Sequence, residues 1–203
     1  YGDVWVALSN GISFNSAVRW GWIGFRFHRG EPGKPGALPM AGDFNGDGKC
    51  DLVMVTQYTD VWVSLSNGSG FASSSRWGWL GFVYMPFDRK CPLAGDFNGD
   101  GKCDLAQTTP SGDVWVSFSS GTAFGNTSRW GWLGFRYDEA AGLYPIVADV
   151  NADLKADLIQ ITPTGDPWVA LSTGTSFGPS SRWGWLGFIY SRTIGYLPMF
   201  LGI

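Results

Sequence analysis

Three short stretches of the chain carry oxygen-bearing side chains at a spacing that suits a divalent cation. In the middle stretch, 96–104, acids or amides stand at positions 1, 3, 5 and 9, and glycines stand at positions 4 and 6. Calcium takes about six to eight oxygen ligands in a flexible shell, and glycine lets a short loop turn sharply. The backbone carbonyl at position 7 would add a further ligand. The predicted ligands of the three loops are Asp43, Asn45, Asp47, Lys49 and Asp51; Asp96, Asn98, Asp100, Lys102 and Asp104; and Asp149, Asn151, Asp153, Lys155 and Asp157.

The loops recur at a fixed interval of 53 residues, from Asp43 to Asp96 to Asp149. The third loop keeps every oxygen ligand but has Ala152 and Leu154 in place of the two glycines. We therefore predict Ca²⁺ as the cofactor, at about three sites, the third weaker or more strained. A metal-free turn is the alternative, because Asn, Asp and Gly favour turns unaided.

A second motif, Arg-Trp-Gly-Trp, occurs four times. Each copy follows a segment that begins Asp-Val-Trp-Val or, in the last case, Asp-Pro-Trp-Val. Sugars present apolar C–H faces beside hydroxyl groups, so a sugar site needs an aromatic platform and hydrogen-bond donors, which Trp and Arg supply. Repeated weak sites would add avidity. Alternatively, the Arg stem packs on Trp and the pair is structural. The candidate ligand-binding residues are Arg19, Trp20, Trp22, Arg76, Trp77, Trp79, Arg129, Trp130, Trp132, Arg182, Trp183 and Trp185.

Short strands must position both motifs. Residues 113–119 alternate, with Val114, Val116 and Phe118 on one face and Trp115 on the other, which is a strand pattern. Turns and further apolar stretches divide each repeat of about 53 residues into four such strands, and no amphipathic helix is evident. The sequence therefore predicts an all-β fold, a β-propeller of four-stranded antiparallel blades that stack to bury their faces.

We interpret residues 1–203 as one repeat array with three full blades and a composite or incomplete fourth. The chain would either be a piece of a larger propeller or form a closed or oligomeric assembly, because an unpaired strand edge invites pairing with another chain. Strand exchange of this kind predicts a homo-oligomer or filament. The predicted segments are 1–29 (strands three and four of a blade), the blades 38–87, 91–138 and 144–191, and 196–203 (the first strand of a further blade).

Composition and motif content argue against several other classes of protein. Only 15% of the residues are charged and 16% are aromatic, which excludes a disordered chain. No basic cluster indicates nucleic acid binding, and no run of about 18 apolar residues indicates a membrane span. The single histidine, His28, has no repeated partner, so we expect no enzymatic activity. The acids that open the third strand of each repeat are expected to cap turns: Asp3, Asp60, Asp113 and Asp166.

The stretch Asp-Phe-Asn-Gly-Asp-Gly-Lys-Cys-Asp-Leu, at residues 43–52 and 96–105, resembles the FG-GAP/VCBS repeat family. These are the calcium-binding propeller repeats of integrin α-subunits and of some fungal and bacterial lectins and secreted proteins. The resemblance covers nearly the whole chain. It implies calcium binding and a propeller, which in most relatives has seven blades from one chain, more than 203 residues provide. The Arg-Trp-Gly-Trp-Leu-Gly-Phe run is not a general feature of that family.

From these patterns we predict a secreted, extracellular propeller that calcium stabilises and that binds carbohydrate. Its partner would be a glycan or a cell-surface or matrix polysaccharide, bound through the Arg-Trp pairs. The alternative is a structural or cell-adhesion module that binds protein or assembles with itself through the incomplete blade.

Overall fold

The structure is a computed structural model that describes residues 2–28, 30–138 and 140–186. Its strands form four antiparallel sheets, and in the described part of the chain the one helix is a short 3₁₀ turn, Pro86–Asp88. The predicted strand 196–203 and the end of the predicted blade 144–191 lie outside the described residues. The strands are β1 Asp3–Val6 and β2 Val18–Trp22 (first sheet); β3 Leu38–Gly42, β4 Asp51–Val55, β5 Asp60–Ser64 and β6 Ser75–Trp79 (second sheet); β7 Cys91–Gly95, β8 Asp104–Thr108, β9 Asp113–Ser117 and β10 Ser128–Trp132 (third sheet); and β11 Pro145–Ala148, β12 Asp157–Ile161, β13 Pro167–Ala170 and β14 Ser181–Arg182 (fourth sheet).

Each of the last three sheets is a meander in which strands pair in the order of the chain. Alternation decides which residues are buried: Val114 and Val116 of β9 are fully buried, whereas Trp115 between them is 37% exposed. Phe118, just after β9, packs against the same core. The predicted all-β fold of four-stranded antiparallel sheets is thus confirmed. Closure of the sheets into a ring stays a prediction.

Successive sheets pack face to face, and their first strands are neighbours, β3 beside β7 and β7 beside β11. The approach is close: a Cβ atom on Gly42 would lie 2.5 Å from Cys103 Sγ, and one on Gly95 would lie 2.5 Å from Val147 Cγ1. Glycine is therefore required on these strands for steric reasons. One apolar core lies between the second and third sheets, and another between the third and fourth.

A β-bulge in the last strand of each of the first three sheets separates the two tryptophans of that strand. In the pairing of β9 with β10, Arg129 is opposite Trp115 and Gly131 is opposite Val114, so Trp130 is the extra residue. Two residues that are two apart in a regular strand point to one face, but a bulge breaks that alternation. Gly131 has a φ of 148°, which side-chain-bearing residues rarely adopt. As a result Trp130 is 5% exposed, whereas Trp132 is 64% exposed.

Candidate functional site

The loops are wrapped around their first acid by backbone hydrogen bonds. In the middle loop, Asp96 Oδ1 accepts from the N–H groups of Gly99 (2.7 Å) and Asp100 (3.2 Å), and Asp96 Oδ2 accepts from that of Gly101 (2.8 Å). Asn98 Oδ1 accepts from Asp100 N–H at 2.8 Å. The oxygen donors predicted at positions 1, 3 and 5 therefore lie on one tight loop, as the spacing indicates.

A lysine at position 7 pairs with the acid at position 5 in every loop. Lys102 Nζ lies 2.9 Å from Asp100 Oδ2, and Lys49 Nζ lies 3.0 Å from Asp47 Oδ2. The hydrogen bond from Lys49 holds the pKa of the Asp47 carboxyl below its ordinary value. A cation bound at position 5 would therefore compete with the ammonium group that the loop itself supplies.

The ninth-position acid has a structural role that sequence reasoning did not include. Asp104 is fully buried; its Oδ2 accepts from Phe97 N–H (3.2 Å) and its Oδ1 from Ser119 N–H (2.8 Å). Burial raises the pKa of this carboxyl to about 7, although the two donors act in the opposite direction. Asp51 and Asp157 make the equivalent pairs of bonds. In the described residues no three His, Cys, Asp or Glu side chains converge into a group that could hold a metal.

The third loop keeps two of these bonds without its glycines: Asp149 Oδ1 accepts from the Asp153 N–H (3.2 Å) and its Oδ2 accepts from the Leu154 N–H (2.8 Å). Ala152 and Leu154, which replace them, have φ angles of 61° and 66°. A side-chain-bearing residue costs about 1–2 kcal/mol in this left-handed region. The strain predicted for the third loop is therefore present in its backbone.

The arginines of the Arg-Trp-Gly-Trp runs are bound to the strand-opening acids. Arg129 Nε donates to Asp113 Oδ1 at 2.7 Å, and Arg182 Nε donates to Asp166 Oδ1 at 2.7 Å. Asp113 Oδ2 also accepts from the Ser111 hydroxyl at 2.7 Å, so the acid is bound to the turn that precedes its strand. The Ser111 hydroxyl and the Arg129 guanidinium together lower the pKa of Asp113. These arginines tie neighbouring strands together at an exposed edge, which fits the structural alternative for the Arg-Trp pair.

The first tryptophan of the two middle runs is the part of the sugar-site hypothesis that the structure corrects. Trp77 and Trp130 are each only 5% exposed, because the bulge points them into the space between two sheets. There Trp77 packs at a tilt against Phe124, and Trp130 packs edge-on against Phe177, each from the following repeat. These two rings belong to the core and cannot present a platform to a ligand.

The second tryptophan of each run lies on the surface. The exposed fractions are 60% for Trp22, 64% for Trp79 and Trp132, and 67% for Trp185. Trp132 is held in place, because its indole N–H donates to the Ser111 carbonyl at 2.6 Å and its ring packs on the backbone of Gly134. Trp185 donates to the Thr164 carbonyl at 2.8 Å in the same way. An exposed indole that is held by a hydrogen bond to a backbone carbonyl therefore recurs in the third and fourth repeats.

Trp132 forms one wall of a groove between the third and fourth sheets. The groove has a volume of about 450 Å³, and its other wall includes Trp168 of β13, with Gln160, Thr162 and Ser180 as polar lining. Gln160 Nε2 donates to the Arg136 carbonyl at 2.5 Å, which joins the two sheets at this point. Two indoles and several hydroxyl and amide groups around one groove suit a ligand that has both apolar and polar faces.

Sequence reasoning missed the strand tryptophan as a site residue. Trp168 lies in the segment Asp-Pro-Trp-Val, the fourth copy of the Asp-Val-Trp-Val strand motif, and its place between Pro167 and Val169 was the available signal. The residue types of the groove recur 53 positions earlier between the second and third sheets, as Trp79, Gln107, Thr109 and Trp115. Gln107 also repeats its role, because its Nε2 donates to the Val83 carbonyl at 2.5 Å.

Comparisons with known proteins support the fold. Residues 43–106 match the family model of the FG-GAP-like repeat, which confirms the predicted resemblance over that segment. A comparison with curated proteins found no match. Among solved structures, the chain is similar to a lectin of Agrocybe aegerita, described in a study of its specific recognition of non-reducing terminal N-acetylglucosamine. The TM-score is 0.62 at 20% identity, over 89% of this chain and 46% of that lectin. The likeness shows a propeller-like fold, and this chain spans about half the length of that structure.

Proposed function

We propose that this chain, which contains an FG-GAP-like repeat at residues 43–106, binds carbohydrate in the grooves between its successive sheets. The observation that carries the proposal is the repeated exposed tryptophan, fixed by its indole hydrogen bond and paired across a groove with a strand tryptophan. An immobilised indole loses little conformational freedom on binding. It offers an apolar face to the C–H groups of a sugar ring, while the adjacent hydroxyl and amide groups meet its hydroxyls. Similarity to a lectin fold adds support.

A glycan array tests this proposal, with N-acetylglucosamine-terminated glycans among the probes. We expect binding by the wild-type chain and a loss of apparent affinity of about tenfold or more in the double variant Trp79→Ala/Trp132→Ala, since two of the repeated sites are then lost. Tyr58→Ala is the matched control, because Tyr58 is 72% exposed but does not line the groove between the third and fourth sheets. Absence of binding to every glycan, or equal binding by the double variant, would overturn the proposal.

We also propose that the loops bind calcium through positions 1, 3, 5 and the carbonyl of position 7. Asp96, Asn98 and Asp100 supply hard oxygen donors that fit Ca²⁺ by type. The ion would neutralise the carboxylates of Asp96 and Asp100, which lie on the same loop. The buried Asp104 would hold the loop in place through its bonds to backbone N–H groups.

Thermal unfolding in excess calcium and in a chelator tests the loop proposal. We expect a higher melting temperature in calcium, corresponding to about 2.7 kcal/mol for each occupied loop at a hundredfold excess over Kd. In Lys102→Met the calcium effect should increase, because the ammonium group that pairs with Asp100 is gone. Lys34→Met, whose Nζ pairs with Glu31 outside the loops, is the control. Equal melting temperatures in calcium and in chelator, for the wild type and for Lys102→Met, would contradict calcium binding.

Within the described residues no helix is both long and apolar enough to cross a bilayer. An extracellular location stays a prediction from the calcium loops.

A further inference from the structure

The groove between the third and fourth sheets has a cationic side chain on its wall. Among the described residues that line this groove, Arg136 is the one that carries a charge. Its backbone is fixed there, because its carbonyl accepts from Gln160 Nε2 at 2.5 Å and its N–H donates to Gln160 Oε1 at 3.4 Å. The side chain is 40% exposed. A guanidinium offers five N–H donors and stays charged at any physiological pH, so the groove contains a permanent positive charge.

The preceding repeat has an apolar side chain at the equivalent place. This residue, 53 positions earlier, is Val83, and its carbonyl accepts from Gln107 Nε2 as that of Arg136 does from Gln160. The backbone is therefore held in the same way in both repeats. The two tryptophans, the glutamine and the threonine are also common to both. The charge of Arg136 thus distinguishes the later repeat chemically from the earlier one.

The acid beside Arg136 is held by a second arginine. Asp138 is buried, and its Oδ2 lies 3.0 Å from Nε of Arg89, which belongs to the connection between the second and third sheets. The same oxygen is 3.8 Å from Arg136 Nε, which is longer than a hydrogen bond. Asp138 Oδ1 accepts from the Ala141 N–H at 3.1 Å. Both carboxylate oxygens are therefore bound by groups other than Arg136.

Two arginines consequently share one carboxylate, and the cluster carries one positive charge in excess. Within the described residues Arg136 Nε has no hydrogen-bond partner. The hydrogen-bonding capacity of this guanidinium is thus not used up by its neighbours in the fold. Guanidinium groups form strong, charge-assisted and often bidentate hydrogen bonds with carboxylates and with other oxyanions. A ligand that brings such a group into the groove would complement the excess charge.

We propose that the groove between the third and fourth sheets selects a sugar with an anionic substituent, a carboxylate or a sulfate. The anionic group pairs with Arg136 while the sugar ring lies against Trp132. The preceding repeat, with Val83, binds neutral and anionic sugars alike. Arg89 is a positioning residue, because it holds Asp138 and so leaves the Arg136 guanidinium to the ligand. This inference rests on the proposed carbohydrate binding and adds the class of sugar to it.

Site-resolved titration of the 203-residue chain with matched probes tests the proposal. A glycan selected on the array is compared with its counterparts whose terminal sugar carries a hydroxyl, a carboxylate or a sulfate at C6. In protein labelled with 5-fluorotryptophan, the fluorine resonance of Trp132 reports on the groove with Arg136, and that of Trp79 reports on the repeat with Val83. At Trp132 we expect about tenfold tighter binding of the carboxylate or the sulfate than of the hydroxyl form. The two anionic probes show which oxyanion is preferred.

Salt and the exchange of one side chain separate charge recognition from other effects. The preference at Trp132 should weaken as the salt concentration rises, because added ions screen the charge. Arg136→Val copies the residue of the preceding repeat and should abolish the preference while the neutral probe binds as before. Val83→Arg is the reciprocal variant and should create a preference at Trp79.

A further variant tests the positioning role. Arg89→Met should weaken the anionic preference, because the Asp138 carboxylate then has only Arg136 as its cationic partner. Binding of the neutral probe should not change, which a general loss of structure would not allow. Lys34→Met removes an equal charge from a residue outside the groove and should keep the preference of the wild type.

The outcomes distinguish this inference from the proposed function. Equal affinity of the three probes at Trp132, or an anionic preference that persists in Arg136→Val, would overturn the inference and leave carbohydrate binding intact. Absence of binding to every glycan of the array would overturn the proposed function and this inference together.

Discussion

Replacement of Trp130 by alanine is expected to lower the free energy of unfolding by about 3–5 kcal/mol. The ring is 5% exposed and lies between Phe118 and Phe177, at centroid distances of 5.4 and 5.3 Å. Its removal would open a cavity between the third and fourth sheets, and closely packed cores collapse only partly around such a cavity. Urea denaturation measures the change.

Trp132→Ala is the matched control, since it removes the same side chain two residues further along. Trp132 is 64% exposed, so its replacement should change the free energy of unfolding by less than about 1 kcal/mol. Similar losses in the two variants would show that the bulge does not place them on opposite sides as described.

Replacement of Asp104 by alanine is expected to destabilise the fold by about 2–5 kcal/mol, even in the presence of a chelator. The buried N–H groups of Phe97 and Ser119 would lose their acceptor, and each unsatisfied buried donor costs about 1–3 kcal/mol. Denaturation is measured in chelator so that any loss of bound calcium does not contribute.

Asp113→Ala serves as the control for Asp104→Ala. Asp113 pairs with Arg129 at the exposed edge of the third sheet, and a surface ion pair contributes little to stability because solvent screens it. If Asp104→Ala were no more destabilising than this variant in chelator, the carboxylate would not have the structural role assigned to it.

The repeat and the strand alternation were sufficient to predict the sheets. The interval from Asp43 to Asp96 to Asp149 gave the unit, and Val114 and Val116 are buried on the face that alternation predicts. These features could be predicted because pleating ties the direction of a side chain to its place along a strand.

Alternation along the strand could not predict that the first tryptophan of a run is buried and the second exposed. Regular alternation places Trp130 and Trp132 on one face, and only the register against β9 shows that Trp130 is an extra residue. Gly131 between them is the one local signal of a bulge. The structural role of Asp104 could not be predicted for a related reason: its partner Ser119 lies 15 residues away, on a segment whose pairing the loop motif does not specify.

Fluorine NMR of the protein labelled with 5-fluorotryptophan tests carbohydrate binding at the grooves most directly. The resonances can be assigned with single Trp→Phe variants and followed while an array-selected glycan is added. Binding at the grooves predicts that the resonances of the exposed Trp79 and Trp132 shift in a saturable way while that of the buried Trp130 does not. Resonances of Trp79 and Trp132 that stay unchanged at saturating glycan would contradict binding at these grooves.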